Sequence, residues 1–444
     1  MTGDRGDLMG MQRAIEAPPR SIPVLLETDV CVVGAGPAGL GASLAAARFG
    51  VKVCLVERHG FMGGNFTAAS VGSVCGLYVK DGSDWRYVVQ GIAKELVENL
   101  KSQAKAIGPL PFQESAVLLY VPWSAKRLFD HVVTEEQNIT LLLHALVSEV
   151  IGNSGTIEAV VVASKNGPVA IKAKYFVDAT GDGDLVAFSG GEFRMGESGR
   201  RQHASMQFIL ENADQNVALA RGIPSLGRLI TEKGGHLSRD AGALLPTFRA
   251  GEFIGAMTRV ANPDGSPIDA TDLFQSTWGE LEGRRLAAQA GEFVIDNVPG
   301  FASAFFADSA PNLGIRESRR IIGQYVLTGD DVLNAARFDD AIAAGAWPQE
   351  FHVEGKSTSY VHLKEGQYYQ IPYASMKPLG SENLLVAGRC LSADFEALAS
   401  IRVMAPSMAI GQAAGTASAM LALDGSATVP QIQEELAKRG AFLG

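Results

Sequence analysis

The stretch from Asp29 to Gly39 (DVCVVGAGPAG) constrains this chain more than any other: a short apolar strand runs straight into Gly34, Gly36 and Gly39 at GxGxxG spacing. A strand that turns into a helix through three such glycines opens a dinucleotide-binding βαβ unit. The first glycine permits the tight turn, the second lets backbone approach a pyrophosphate, and the third lets the helix pack on the strand, with the helix N-terminus facing the phosphate charge. The spacing alone is a weak signal, but the rest of the unit is present. Residues 37 to 49 (PAGLGASLAAARF) are Ala-rich and suit a helix, Gly50 can end it, and 51 to 56 (VKVCLV) reads as the second strand. Glu57 stands at its end, roughly 20 residues past the glycines, where an acid grips a ribose hydroxyl pair. Its charge disfavours a 2′-phosphate.

Length and composition frame that unit. At 444 residues the chain exceeds what one hydrophobic core usually supports, so more than one domain is expected. With 47% hydrophobic and 19% charged residues it has ample material for a core. A formal net charge of -10 argues against a nucleic-acid or anionic-membrane surface. The first 27 residues hold Pro18, Pro19 and Pro23 but no apolar run of the secretory or membrane-spanning kind, so a cytoplasmic location is expected. Cys31, Cys54, Cys75 and Cys390 form no CxxC pair and no metal-ligand spacing, and no metal site is expected. Cys31 and Cys54 fall within the first two strands as core residues; Cys75 and Cys390 lie in Gly-flanked segments near the expected cofactor.

Three more segments belong with the first. Residues 58 to 76 (RHGFMGGNFTAASVGSVCG) form a Gly-rich run in which Gly63, Gly64 and the short polar Asn65 and Thr67 make a loop able to wrap a flat or phosphorylated ligand. Residues 175 to 185 (YFVDATGDGDL) are another apolar strand ending in glycines and acids. They lack the later ligands of a calcium loop and read instead as a strand end brought against the same cofactor. The last, 383 to 389 (NLLVAGR), is followed by CLSADFEALASIRVM and a small-residue helix from 405 to 423.

Together GAGPAG, Glu57, FMGGNFTA, DATGDGD, GIRESRRIIGQYVL (314 to 327) and NLLVAGRCLSADFEALASIRVMAPSMAIGQAAGTA (383 to 417) resemble the FAD-dependent oxidoreductase family often called FAD-oxidored, related in fold to the glutathione-reductase and succinate-dehydrogenase flavoproteins. The resemblance covers the N-terminal part, a central piece and the C-terminal part of the chain. It departs at Phe395, where the family's usual pattern has His. It implies an α/β fold: a doubly wound, Rossmann-like FAD-binding domain built from discontinuous segments, 24–202 and 369–444, with an α+β substrate or cap region, 203–368, inserted between them and an N-terminal extension, 1–23. Helical patterns at 91–104 and 124–138, and strands of a meander near 141–150, 157–163 and 168–178, are compatible with it.

The resemblance also implies the residues that bind FAD: Gly34, Gly36, Pro37, Ala38, Gly39, Glu57, Arg58, Gly64, Asn65, Thr180, Gly181, Asp182, Gly388, Arg389 and Asp394. Gly36 and Gly39 belong at the pyrophosphate, Glu57 at the ribose, and Asn65, Asp182 and Asp394 on the flavin side. Asp182 and Asp394 also fit helix N-caps. The helix beginning near Pro406 offers its N-terminus to the flavin, with Arg402 either an accompanying charge or a partner of Glu396. At helical spacing Arg316 and Arg320 share a face and suit a carboxylate substrate, the pyrophosphate, or a bridge to Glu317. His352, His362, Tyr368 and Tyr369 occur where the cap returns to the first domain. Candidates for catalysis are therefore Arg316, His352, His362, Tyr369 and Arg402.

No second GxGxxG with strand and acid follows the first, so no NAD(P)H domain of the glutathione-reductase kind is expected. The implied function is that of a soluble FAD-dependent oxidoreductase, a dehydrogenase or oxidase passing a hydride from a small organic substrate to flavin N5. The electron acceptor or donor is not named by the sequence. Monooxygenation with external NAD(P)H, a structural FAD acting through a partner, and assembly into a homo-oligomer all stay open. Neither nucleic acid nor membrane is expected as a partner.

Overall fold

The computed structural model describes residues 18–153, 155–353 and 357–444; the first 17 residues of the expected N-terminal extension lie outside them. At its centre the strands Ile139–Leu142, Val53–Val56, Val24–Val33, Gly167–Asp178 and Leu384–Val386 run parallel, in that order. Val53–Val56 is buried at every position, as befits a strand covered on both faces. Val33 pairs with both Val56 and Asp178, and Asp178 pairs with Val386, so four strands end level. Gly34, Glu57, Ala179 and Ala387 therefore start four loops at one edge of the sheet. That carboxyl edge is where ligands bind in open α/β sheets.

Gly167–Asp178 carries two jobs along its length. Its first half pairs antiparallel with Thr156–Ser164, which pairs in turn with Leu146–Asn153, and its last residues pair parallel with Leu384–Val386. The strand expected near 141–150 is two strands. His144 lies between them at φ 55, and the break sends Ile139–Leu142 into the parallel sheet and Leu146–Asn153 into the meander.

The helix Pro37–Ala47 is apolar all round because it is covered on all sides, by the sheet and by the helix Met404–Asp424. Small residues let the two backbones touch. A Cβ on Gly411 would lie 2.0 Å from the Ala38 carbonyl oxygen, one on Gly415 2.0 Å from that of Ala42, and one on Gly41 2.4 Å from that of Met408. Numbering rises together along the contact, so the helices are parallel and their N-termini point to the same edge of the sheet. Met404 lies seven residues before Gly411, about 10 Å further along at 1.5 Å per residue. The C-terminal helix thus overhangs the glycine turn.

A second hydrophobic cluster runs from Ala204 to Leu313, inside the 203–368 stretch expected as the cap. Its antiparallel sheet has the order Ala243–Pro246, Phe253–Ala256, Phe208–Glu211, Phe305–Ser309, and the 25-residue helix Leu273–Asn297 packs on it through Leu286, Ala290, Phe293 and Val294. From Leu327 onward most buried side chains join the first cluster again, as Ile342, Ile371, Leu385, Ile401 and Met408 do.

The segment 314–321 is extended, so Arg316 and Arg320 do not share a helix face. Arg319–Ile321 pairs antiparallel with Phe193–Met195, and Arg320, 1% exposed, is spent on structure. Its guanidinium donates to the carbonyls of Ala393 and Gly196 and lies against Glu317. Burial of that charge among fixed acceptors, followed by β-branched Ile321 and Ile322, favours the strand over a solvated helix.

Candidate active site

The three glycines after the first strand are needed for different reasons. Gly34 has φ 94, and a Cβ there would lie 2.5 Å from the Ala179 carbonyl oxygen; a Cβ on Gly39 would lie 1.7 Å from that of Gly34. Both are required by the fold itself. Gly36 has an ordinary φ of -73, and a Cβ on it would meet only the Gly64 Cα, at 3.9 Å. Neither backbone conformation nor packing asks for glycine at 36. What it leaves is open space at the N-terminus of Pro37–Ala47, where the first amides of the helix have no intrahelical partner.

That space belongs to a cavity of about 410 Å³ lined by Gly36, Pro37, Ala38, Arg58, Gly64, Asn65, Thr180, Gly181, Asp182, Gly388 and Arg389. A smaller cavity of about 90 Å³ adjoins it, sharing Gly36, Arg58, His59, Gly64 and Thr180 and adding Gly34 and Glu57. The Glu57 carboxylate is fixed by the amides of Ala35 (2.8 Å) and His59 (2.9 Å), which leaves part of its acceptor capacity free. Arg58 is exposed and forms no ion pair among the described residues.

Opposite the glycines, Asp178 and Thr180 shape the next loop. Asp178 accepts from the Thr180 hydroxyl (2.6 Å) and from the Leu185 amide (2.8 Å), holding the chain in a tight path. This exposes Asp182 to the cavity, where it accepts from Ser318 Oγ at 2.6 Å and Arg389 Nη2 at 2.8 Å. Burial pushes its carboxyl up, but the charge of Arg389, the Ser318 bond and the charge of Arg58 prevail and hold it below the usual range. Asp182 does not cap a helix. Gly388, at φ 91, brings backbone close from the other side, and Met404 and Ser407 contribute the overhanging helix N-terminus.

A third cavity, of about 470 Å³, lies between the sheet edge and the cap. It meets the first at Asn65, Ala69, Ile315, Arg402 and Met404. Part of its lining is an apolar cluster, Phe112, Val117, Leu119, Leu245 and Trp347. The lining also carries Arg239, Arg316, Glu350, His352, Thr358, Tyr360 and Arg402. The hairpin Gln349–Phe351 with Ser359–Val361 sets Glu350 opposite Tyr360. Glu350 Oε1 accepts from His352 Nε2 (3.0 Å) and the Tyr360 hydroxyl (3.2 Å), while Oε2 accepts from Trp347 Nε1 (3.2 Å) and lies 3.6 Å from Arg402 Nη2. Burial would raise its pKa; the hydrogen bond from His352 and the charges of Arg402 and Arg316 outweigh it and keep Glu350 ionised. Burial, with the charge of Arg316, holds His352 neutral despite the pull of Glu350. A neutral imidazole donating from Nε2 has Nδ1 free to accept, and Thr358 Oγ1 lies 3.2 Å from it. Arg239 Nη2 donates to the same hydroxyl at 2.9 Å.

Arg316 Nη1 donates to the His203 carbonyl (2.8 Å) and Ser205 Oγ (2.7 Å). Burial, then the charges of Arg402, Arg239 and Arg259, push its pKa down to about 9, with Glu350 opposing. It stays charged at neutral pH. Arg402 pairs with Glu350 and not with Glu396, whose partner is Arg200. Cys75 also lines this cavity, and burial pushes its thiol up to about 12.

Several expected residues stand elsewhere. Asp394 caps Phe395–Ile401, accepting from the Ala397 amide at 2.7 Å, and also accepts from Gly329 at 2.9 Å. Tyr369 is buried with its hydroxyl 2.7 Å from Ser400 Oγ. His362 lines a separate cavity of about 60 Å³, its Nε2 3.1 Å from Oε1 of Gln113, and Tyr368 stacks under the Arg337 guanidinium. Phe395 is fully buried against Phe351, away from these cavities. Conversely, Arg239, Glu350, Thr358 and Tyr360 line the third cavity, and Ser276 and Glu280 of the cap helix reach the first, without having been expected there. The alternation of 350, 352, 358 and 360 on one hairpin face was a usable signal; nothing local marks Arg239 or the helix.

The chain is similar to several known proteins. The thiamine thiazole synthase of Aeropyrum pernix is 29% identical over 172 residues, 36% of this chain and 57% of that protein. The dihydrolipoyl dehydrogenase of Chlorobaculum parvum is 51% identical over 47 residues, 11% of this chain and 8% of that one. The chain therefore spans little more than half the length of the first relative and a small part of the second. Among solved structures, the p-nitrophenol 4-monooxygenase of Pseudomonas putida overlays with a TM-score of 0.48 and 12% identity across 93% of this chain and 85% of that one. Residues 29–439, nearly the whole sequence, match the model of the FAD dependent oxidoreductase family, and the chain belongs to that family, an enzyme whose cofactor is FAD.

Proposed function

We propose that the chain is a dehydrogenase or oxidase in which a hydride leaves a small organic substrate held in the third cavity for FAD held in the first two. The observation that carries this reading is that the cavities adjoin, both being lined by Asn65, Ala69, Ile315, Arg402 and Met404, so that a substrate in one would lie beside a flat cofactor in the other.

The residues present fit FAD. The empty cradle at Gly36 and the free amides behind it suit a pyrophosphate, with Arg58 beside them as an unpaired cation. Glu57 in the small adjoining cavity suits a ribose, and Asp182, ionised and rimmed by Ser318 and Arg389, suits hydroxyls of the ribityl chain. Gly64, Asn65, Thr180, Gly181 and Gly388 complete the walls. Bound there, FAD supplies the two-electron acceptor that no side chain offers. Arg402 and the N-terminus of Met404–Asp424 place positive potential at the junction, which would favour negative charge on a cofactor bound there.

Loss of a hydride from a carbon bearing a hydroxyl or amine also releases a proton. His352 is the base we assign, neutral and reached from the cavity through the Thr358 hydroxyl, with ionised Glu350 on its other nitrogen to stabilise the charge it gains. Anaerobic mixing of the FAD-loaded protein with hydroxy acids, amino acids, amines and alcohols tests the proposal. Bleaching of the flavin by one class without any other reductant is expected. Bleaching that requires NAD(P)H would replace it by monooxygenation.

A further inference from the structure

The charge balance of the third cavity singles out a class of substrate. Its lining holds three guanidiniums, Arg239, Arg316 and Arg402, against one carboxylate, Glu350. Glu350 is already committed: its oxygens take His352, Tyr360 and Trp347 and leave only the 3.6 Å approach of Arg402. Arg316 is oriented by a carbonyl and a hydroxyl, both neutral, and forms no ion pair among the described residues. Arg239 likewise donates to the Ala256 carbonyl and the Thr358 hydroxyl, and its Nε, buried, has no partner. Arg402, with a side chain only 9% exposed, has an unpartnered Nε as well.

The charges of Arg402 and Arg239 act against that of Arg316, and a buried donor without an acceptor is unfavourable, more so when charged. A protein keeps such an arrangement when a ligand anion completes it. The fork of Arg316, with Nη1 tied back and the remaining nitrogens unbonded, suits bidentate capture of a carboxylate. The apolar part of the lining, Phe112, Val117, Leu119 and Leu245, has no polar side-chain group to hold a second charge.

We infer that the substrate is an organic acid whose carboxylate is held by Arg316 and Arg239 and whose apolar body lies against the wall around Trp347 and Leu119. The inference rests on the reading of this cavity as the substrate site of a flavin dehydrogenase or oxidase. The oxidised carbon then lies toward Arg402 and the boundary with the cofactor cavity.

Isothermal titration of the FAD-loaded protein with hexanoate, benzoate and phenylacetate, each beside its amide, tests it without turnover. At least one acid is expected to bind about tenfold or more tightly than its amide, the scale of a charged hydrogen bond. Arg316→Gln should abolish that preference while the flavin's visible spectrum, and so cofactor occupancy, stays as in the parent. Should that variant not fold, Arg239→Gln provides the same comparison from the other guanidinium. If no acid binds more tightly than its amide, the inference is overturned. Acid binding without bleaching by any organic compound would overturn the dehydrogenase reading and leave the carboxylate site standing; bleaching by a neutral or cationic compound with no preference for acids would do the reverse.

Discussion

Gly34 and Gly36 are two residues apart in one motif, yet they answer to different demands, and substitution separates them. Gly34→Ala forces a Cβ to within 2.5 Å of the Ala179 carbonyl at φ 94, so it should lower the unfolding free energy by about 1–3 kcal/mol, measured by chemical denaturation. Gly36→Ala meets only Gly64 Cα at 3.9 Å and should leave the apo protein's stability within about 0.5 kcal/mol while weakening FAD binding by about tenfold or more, measured by titration of the apoprotein. Equal loss of stability in both variants would remove the ligand explanation for Gly36. The thiols give a second check. Cys75 lines a cavity, but burial raises its pKa to about 12, and Cys31 and Cys390 are pushed well above the ordinary value. A raised thiol pKa keeps the unreactive protonated form at pH 8, and the thiolate is the nucleophile. Native protein at pH 8 should therefore react with a thiol reagent only slowly, and fully once unfolded. At this scale the sequence was legible where chemistry is local: glycine spacing, Glu57 and the DATGDGD acids are written in consecutive residues. Asp394 misled because an N-cap and a cofactor-binding acid look alike in sequence, and only the Ala397 amide at 2.7 Å separates them.

Among the elements, the pair Pro37–Ala47 and Met404–Asp424 sets the geometry of the cofactor cavity, since both N-termini are delivered by one close backbone contact. Gly415→Ala places a Cβ 2.0 Å from the Ala42 carbonyl oxygen. The helices must separate, at a cost of about 1–3 kcal/mol for overpacking, and FAD affinity should fall with the shift of the Met404 end. Gly227, within Ile223–Lys233, is the control: a Cβ there meets nothing within 4 Å, so Gly227→Ala should stabilise by about 0.5–1 kcal/mol and leave FAD binding alone. Thermal melts and flavin titration of both variants decide between a specific contact and a general effect of alanine. The strand, helix and strand around the glycines were legible because each shows its own period and ends on a breaker. The segment 314–321 was not. Its arginines repeat every three to four residues, as on a solvated helix, and only the burial of Arg320 against the carbonyls of Ala393 and Gly196 reveals a strand.

Across the whole molecule, function is assigned to a boundary. One side is the carboxyl edge of a parallel sheet, which the four motifs announced; the other is a cavity under the cap. That second cavity draws Cys75, Ser205, Arg239, Arg316, Glu350 and Arg402 from more than 300 positions of sequence, and no local pattern joins residues so far apart. Of the catalytic candidates, Arg316, His352 and Arg402 line that cavity; Tyr369 and His362, picked with His352 from the cap's return, lie outside it, because position along the chain does not say which way a side chain is buried. No helix among the described residues is long and apolar enough to cross a membrane. The central claim, that an organic substrate beside the cofactor gives up a hydride directly, is tested most directly by the flavin's visible absorbance under strict anaerobiosis. The account predicts bleaching of the FAD-loaded protein by a small organic acid alone, with colour restored when oxygen or another acceptor is admitted. Colour that persists with every organic compound and fades only on addition of NAD(P)H would contradict it.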